Sequence, residues 1–121
     1  MPAKGADDNL KTLLKKGNRY VDAGSLVAAS NMYTRLSKVY AASDDSKKDV
    51  KTYDAIVHLC HRINYRDFNN KCSEFYEYIN GNNLAEARKV HADMDIIYQK
   101  LPLELKEKVQ KTFFDAKELL Q

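Results

Sequence analysis

The residues of this sequence whose types and spacing come closest to a chemical site lie in the segment His58-Leu59-Cys60-His61. On a helix, His58 and His61 are three residues apart and share a face, whereas Cys60 points elsewhere. A zinc site of this kind needs a second pair of ligands at a matching spacing, and the sequence contains none. We therefore predict no metal site and interpret the segment as a cysteine at the edge of the core between two surface or half-buried histidines.

Pairs of carboxylates are the next candidates for chemistry. Asp44 and Asp45, and likewise Asp93 and Asp95, have no histidine or nucleophile in a recognisable motif beside them. We interpret the first pair as a helix cap and the second as a solvated helix face. Phosphate-binding, dinucleotide-binding and serine-hydrolase motifs do not occur in the sequence. These observations predict a protein that is not an enzyme, with no catalytic residues and no cofactor.

A cluster of arginine and aromatic residues is the candidate for binding a partner. Arg62, Tyr65, Arg66 and Phe68 combine the residue types that dominate the binding energy of protein interfaces. The same residues lie where the apolar register slips, between Asn64 and Asn70, so an irregular helix junction is the alternative interpretation.

Basic residues near the N-terminus suggest a second kind of partner. Lys11, Lys15, Lys16 and Arg19 are the candidates for contacts with nucleic-acid phosphates. However, the chain has 20 basic and 17 acidic residues, a net charge of only +3, and its longest basic runs are pairs. A dedicated nucleic-acid-binding protein usually has a basic stripe, so a nucleic-acid partner is the weaker hypothesis.

The elements that position these residues are predicted to be long helices, because 121 residues contain only four glycines and two prolines. We predict an all-α fold of about six antiparallel helices in two tandem three-helix units, as a helical-hairpin bundle or short solenoid. Residues 1–6 are expected to form a disordered tail, and residues 7–121 a single helical domain with units at about 8–63 and 66–121.

Two turns with related sequences suggest an internal repeat. Gly24 can adopt the left-handed conformation that ends a helix, and Ser25 and Asn83 can each cap the helix that follows. The shift along the chain that places Ser25 on Asn83 also superposes apolar residues of the helices that follow. The matched pairs are Leu26 with Leu84, Ala29 with Ala87, Leu36 with Met94, and Tyr40 with Tyr98.

The first hairpin resembles a tetratricopeptide repeat. Its large, glycine, tyrosine, alanine, aromatic and small positions are matched by Leu13, Gly17, Tyr20, Gly24, Ala29 and Tyr33. The second hairpin keeps Tyr78 and Ala87 but has Phe75 and His91 where the first has Gly17 and Tyr33. The shift between the two hairpins is much longer than the period of that family, which is about 34 residues. The resemblance therefore implies tetratricopeptide-like hairpins that do not pack identically. The pattern is also similar to the three-helix microtubule-interacting and trafficking domain.

Together, these features predict a non-enzymatic adaptor that binds a helix or peptide of a protein partner. The alternatives are a nucleic-acid-binding accessory factor and a self-associating structural protein, the latter a homo-oligomer. No apolar run is long enough to span a bilayer, and no signal peptide is visible. Two cysteines do not make a disulfide framework, and we therefore expect a cytoplasmic protein.

Overall fold

The computed structural model describes residues 2–121, with side chains from Leu10 onward except that of Lys47. Over these residues the chain is all-helical, with five α-helices and no strand. The helices are α1 (Pro2–Asp22), α2 (Leu26–Ala42), α3 (Val50–Asn80), α4 (Leu84–Lys100) and α5 (Leu103–Glu118), and a short 3₁₀ turn (Asp45–Lys47) precedes α3. None of the described helices is both long and apolar enough to cross a lipid bilayer.

The first helix begins earlier than the sequence analysis places it. It starts at Pro2, whereas the sequence analysis expects a disordered tail over residues 1–6. Of the predicted tail, Met1 lies outside the described residues.

The largest difference from the predicted architecture lies in α3. The slip of the apolar register between Asn64 and Asn70 suggested a bend or a break, and hence about six helices. Over the described residues this count is one too high, because α3 runs uninterrupted for 31 residues, about 47 Å at 1.5 Å per residue. The segment contains neither proline nor glycine, so its backbone hydrogen bonds continue through the slip.

The chain divides into two compact units, one ending at Ile63 and the other beginning at Asn64. Each unit has its own buried apolar cluster. In unit 1 the cluster consists of Leu10, Leu13, Val21, Ala29, Leu36, Ile56, Leu59 and Ile63. In unit 2 it consists of Phe68, Cys72, Phe75, Ala87, Val90, Met94, Ile97, Leu101, Val109, Phe113 and Ala116.

The register slip allows one helix to serve both clusters. Residues Ile56, Leu59 and Ile63 of α3 pack in unit 1 at the three- and four-residue spacing of a helical stripe. The next buried residue, Phe68, comes five residues later and starts a second stripe, which packs in unit 2. The irregular spacing therefore marks the change from one core to the other.

The turns between α1 and α2 and between α3 and α4 have the same backbone geometry. Gly24 has a φ of 79° and Asn82 a φ of 56°, both in the left-handed region that ends helices. In each turn the next residue donates its N–H to a carbonyl five residues earlier, at 2.8 Å: Ser25 to Tyr20 and Asn83 to Tyr78. The caps differ, because the Asn83 side chain accepts from the N–H of Glu86, whereas the predicted cap at Ser25 makes no side-chain hydrogen bond.

Close packing within unit 1 depends on Gly17 of α1. A Cβ atom at this position would lie 2.7 Å from Cδ2 of Leu59, which is fully buried. Glycine therefore leaves the space that the Leu59 side chain of α3 occupies. In unit 2, Phe75 of α3, the residue that the sequence comparison pairs with Gly17, is fully buried.

The left-handed turns predict different outcomes for two substitutions. Gly24→Ala should lower the free energy of unfolding by about 1–2 kcal/mol, because a Cβ atom disfavours left-handed backbone. Asn82→Gly should change it by less than about 1 kcal/mol. Urea denaturation followed by circular dichroism measures both, and equal stability of Gly24→Ala and the wild type would contradict the role given to this turn.

The contact between Gly17 and Leu59 predicts a coupled pair. Gly17→Leu should lower the free energy of unfolding by at least about 2 kcal/mol through overpacking, and Leu59→Ala by about 2–5 kcal/mol through the cavity it leaves. In the double variant, the new leucine fills the vacated space, so the loss should be smaller than the sum by about 1 kcal/mol or more. Purely additive losses would show that the two residues do not share this space.

Candidate interaction surface on the first helix

The first helix has one buried and one exposed side. Leu10, Leu13, Gly17 and Val21 follow the three- and four-residue spacing of a helix and are buried in unit 1. The residues between them remain half-buried or exposed. On the buried side, Gly17 leaves room for the Leu59 side chain of α3.

An open groove of about 900 Å³ runs along this exposed side. Three cations, Lys11, Lys15 and Arg19, line it at four-residue intervals. Over these eight residues the helix rises about 12 Å, so the groove carries a straight row of positive charge along one side of the helix. The remaining lining residues are Thr12, Leu14, Asn18 and Asp22.

Arg62 of α3 contacts two of the residues that line this groove. Its Nη1 donates to Oδ1 of Asn18 at 2.5 Å, and its Nη2 donates to Oδ1 of Asp22. Asn18 in turn donates from Nδ2 to the backbone oxygen of Leu14 at 3.0 Å. The amide of Asn18 is therefore held from both sides, and the carboxylate of Asp22 is offset by a guanidinium, which leaves the three cations as the dominant charge of the groove.

The charge is unevenly divided between the two units. Unit 1 contains eleven basic and seven acidic residues, a net charge of +4, whereas unit 2 contains nine basic and ten acidic residues, a net charge of −1. The positive balance of the whole chain therefore comes from the unit that carries the groove. Such a field raises the local concentration and association rate of an anionic ligand.

The structure brings together three of the four residues considered for nucleic-acid contacts. Lys11, Lys15 and Arg19 line the groove, whereas Lys16 is exposed but does not belong to its lining. On a helix, position 16 lies about 100° round the axis from position 15. Three of the four predicted residues therefore form a row, and Lys16 lies on another side of the helix.

The four residues considered for partner binding are divided between the units. Arg62 belongs to unit 1 and makes the intramolecular contacts described above. The other three belong to unit 2, where Arg66 is exposed, Tyr65 is half-buried against the core, and Phe68 is fully buried in it at 0% exposure. Phe68 is thus a core residue of unit 2 rather than an accessible contact.

The histidine and cysteine segment also takes part in packing. Leu59 is fully buried, Cys60 and His61 are half-buried, and His58 is exposed. Burial and a hydrogen bond with Cys60 raise the pKa of the Tyr33 hydroxyl. Among the residues with described side chains, no three histidine, cysteine, aspartate or glutamate residues are grouped as metal ligands would be.

The sequence analysis missed Leu14, Asn18 and Asp22 as parts of the surface. A local signal existed, because these residues lie at four-residue intervals beside the cations. Arg62 had been considered, but its role had no local signal, since its partners lie 44 and 40 residues away in the chain.

Comparison with known proteins supplies no relative. No family model matches the chain, and no curated protein or solved structure matches it significantly. The geometry of the described residues is therefore the basis for assigning a function.

The contact between Arg62 and Asp22 predicts a modest, salt-dependent contribution to stability. Their side chains are 31% and 68% exposed, so a double-mutant cycle with Arg62→Gln and Asp22→Asn should give a coupling of about 0.5–1 kcal/mol. In about 0.5 M NaCl the coupling should fall, because salt screens exposed charges. Arg66→Gln, at an exposed arginine of the same helix, is the control, and a coupling absent at low salt would contradict the assignment.

Proposed function

We propose that the protein is a non-enzymatic interaction module, and that the groove on α1 binds an acidic helical segment of a protein partner. The observation that carries this proposal is the row of Lys11, Lys15 and Arg19 along one open groove. Leu14 adds a half-buried apolar surface beside the row. A groove of this composition suits an amphipathic helix better than a small molecule.

The spacing of the cations defines the complementary ligand. Residues at i, i+4 and i+8 follow one side of a helix, so a partner helix with glutamates at the same intervals can place an acid beside each cation. A leucine next to the central glutamate can lie against Leu14. Exposed charge pairs contribute little individually, so we expect micromolar affinity and a fast, salt-dependent association.

A nucleic-acid partner is less well supported. Lys16 stands apart from the row of cations that lines the groove. Three phosphate contacts without aromatic residues among them give weak binding, because single-strand binders usually add stacking platforms. We keep this hypothesis as an outcome of the experiment below.

We also propose that the two units are divergent copies of one three-helix unit. Helices α2 and α4 are both 17 residues long, and the shift that places Gly24 on Asn82 also places the first residue of α2 on the first residue of α4. The N–H of Gly24 donates to Val21 at 3.0 Å, and that of Asn82 donates to Ile79 at 3.1 Å, again at the same offset. The exchange of Gly17 for Phe75 then explains how one unit kept a close helix contact while the other filled the space with an aromatic ring.

A matched pair of lysines tests the proposed binding surface. Lys15 lines the groove and Lys16 does not, yet they are adjacent, exposed and on the same helix. With a fluorescent helical peptide carrying glutamates at i, i+4 and i+8, Lys15→Glu should weaken binding about fivefold, equivalent to about 1 kcal/mol. Lys16→Glu should change it less than about twofold. Fluorescence anisotropy measures the dissociation constants.

A scrambled peptide and a single-stranded DNA complete the design. The scrambled peptide has the same charge but lacks the one-sided spacing, so it should bind several-fold more weakly. The nucleic-acid alternative would replace the proposal if the protein bound DNA more tightly than peptide and if the salt dependence of the DNA affinity indicated the release of three or more counterions. Equal losses from Lys15→Glu and Lys16→Glu, or no binding of either ligand, would refute the groove as a binding site.

A further inference from the structure

A second surface stands out on α5, in unit 2. This helix buries Val109, Phe113 and Ala116 in the core of the unit. Its other side carries two large apolar residues, Leu103 at 71% exposure and Phe114 at 45% exposure. Unlike Val109, Phe113 and Ala116, these two residues are not part of the buried core of unit 2.

The two apolar residues lie on one stripe with two opposite charges. Positions 103, 107, 111 and 114 follow four- and three-residue steps, so they share a side of the helix. Glu107 and Lys111 are both exposed. The pair of Leu103 and Phe114 is centred between positions 108 and 109, and the pair of Glu107 and Lys111 is centred on position 109. The two apolar residues therefore lie at nearly equal distances on either side of the midpoint of the stripe. The two charged residues also lie on either side of the midpoint, and their charges are opposite.

We propose that this stripe pairs with the same stripe of a second copy of the chain, with the two α5 helices antiparallel about a two-fold axis. A two-fold axis makes each residue meet its mirror position along the stripe. Leu103 of one copy then lies against Phe114 of the other, and Glu107 of one copy lies against Lys111 of the other. Each contact occurs twice.

The charges select the antiparallel arrangement. In a parallel pair, Glu107 would face Glu107 and Lys111 would face Lys111, and like charges directly opposed across an interface are unfavourable. The antiparallel pair converts both contacts into opposite-charge pairs. The net charge of unit 2, −1 from nine basic and ten acidic residues, gives little long-range repulsion against this association.

The expected dimer is weak. A single helix pair buries less area than the roughly 1,200 Å² at the low end of stable interfaces, so dissociation constants of tens to hundreds of micromolar are expected. The proposal does not depend on ligand binding at α1. If both hold, each dimer carries two α1 grooves, and a partner with two acidic segments gains avidity.

Charge reversal within the stripe tests the proposal directly. Glu107→Lys leaves only bases at the two charged positions, and Lys111→Glu leaves only acids. In sedimentation equilibrium of the full chain from about 10 μM to about 1 mM, each variant alone should lose at least about tenfold in dimer affinity relative to the wild type. An equimolar mixture of the two variants should recover dimers, because an acid-only stripe then meets a base-only stripe.

Two controls make the result decisive. Lys108→Glu changes an exposed lysine of the same helix outside the stripe and should leave the dimer within about twofold. A double variant, Leu103→Ser with Phe114→Ser, should abolish dimers while circular dichroism shows unchanged helix content. A wild type that remains monomeric up to about 1 mM, an equal effect of Lys108→Glu and Lys111→Glu, or a variant mixture that stays monomeric would overturn the proposal.

Discussion

The five-residue step from Ile63 to Phe68 inside α3 is the constraint on which both cores depend. A helix with an unbroken three- and four-residue pattern presents one apolar stripe, and one stripe serves one core. By skipping a position, α3 keeps its backbone hydrogen bonds and starts a second stripe. The first stripe packs in unit 1 and the second in unit 2. A proline in this segment would have interrupted the backbone hydrogen bonds of the helix, and the sequence has none there.

The proposed binding surface in unit 1 follows from how that core packs. Gly17 leaves the space that the Leu59 side chain of α3 occupies, and an added Cβ atom would lie 2.7 Å from a carbon of Leu59. On the same two helices, Arg62 donates hydrogen bonds to Asn18 and Asp22. The arginine offsets the carboxylate at the end of the groove, and the cations of α1 then dominate its charge. The Arg62 side chain thus links the packing of α1 against α3 to the charge pattern of the groove.

Local patterns of the sequence were sufficient to predict the helical class and the two turns, because each of these depends on residues within one or two helical turns. Gly24 is an example, since its left-handed φ follows from the residue type and its place after a helix. The continuity of α3 was not predictable from apolar periodicity, because a register slip looks the same in a broken and an unbroken helix. Phe68 was misassigned for this reason, as it starts the second stripe and is buried. The partners of Arg62 depend on the packing of α1 against α3, two helices far apart in the chain, and no local pattern encodes such a contact.

The central functional claim is that an acidic helix binds along the groove of α1. Titration of the ¹⁵N-labelled protein with the acidic peptide, followed by two-dimensional amide spectra, reports the binding surface residue by residue. The account predicts that the largest shifts fall between Lys11 and Asp22 and at the side-chain amide of Asn18, while amides of α4 and α5 stay within noise. Shifts concentrated in unit 2, or absent from α1 at saturating peptide, would contradict it.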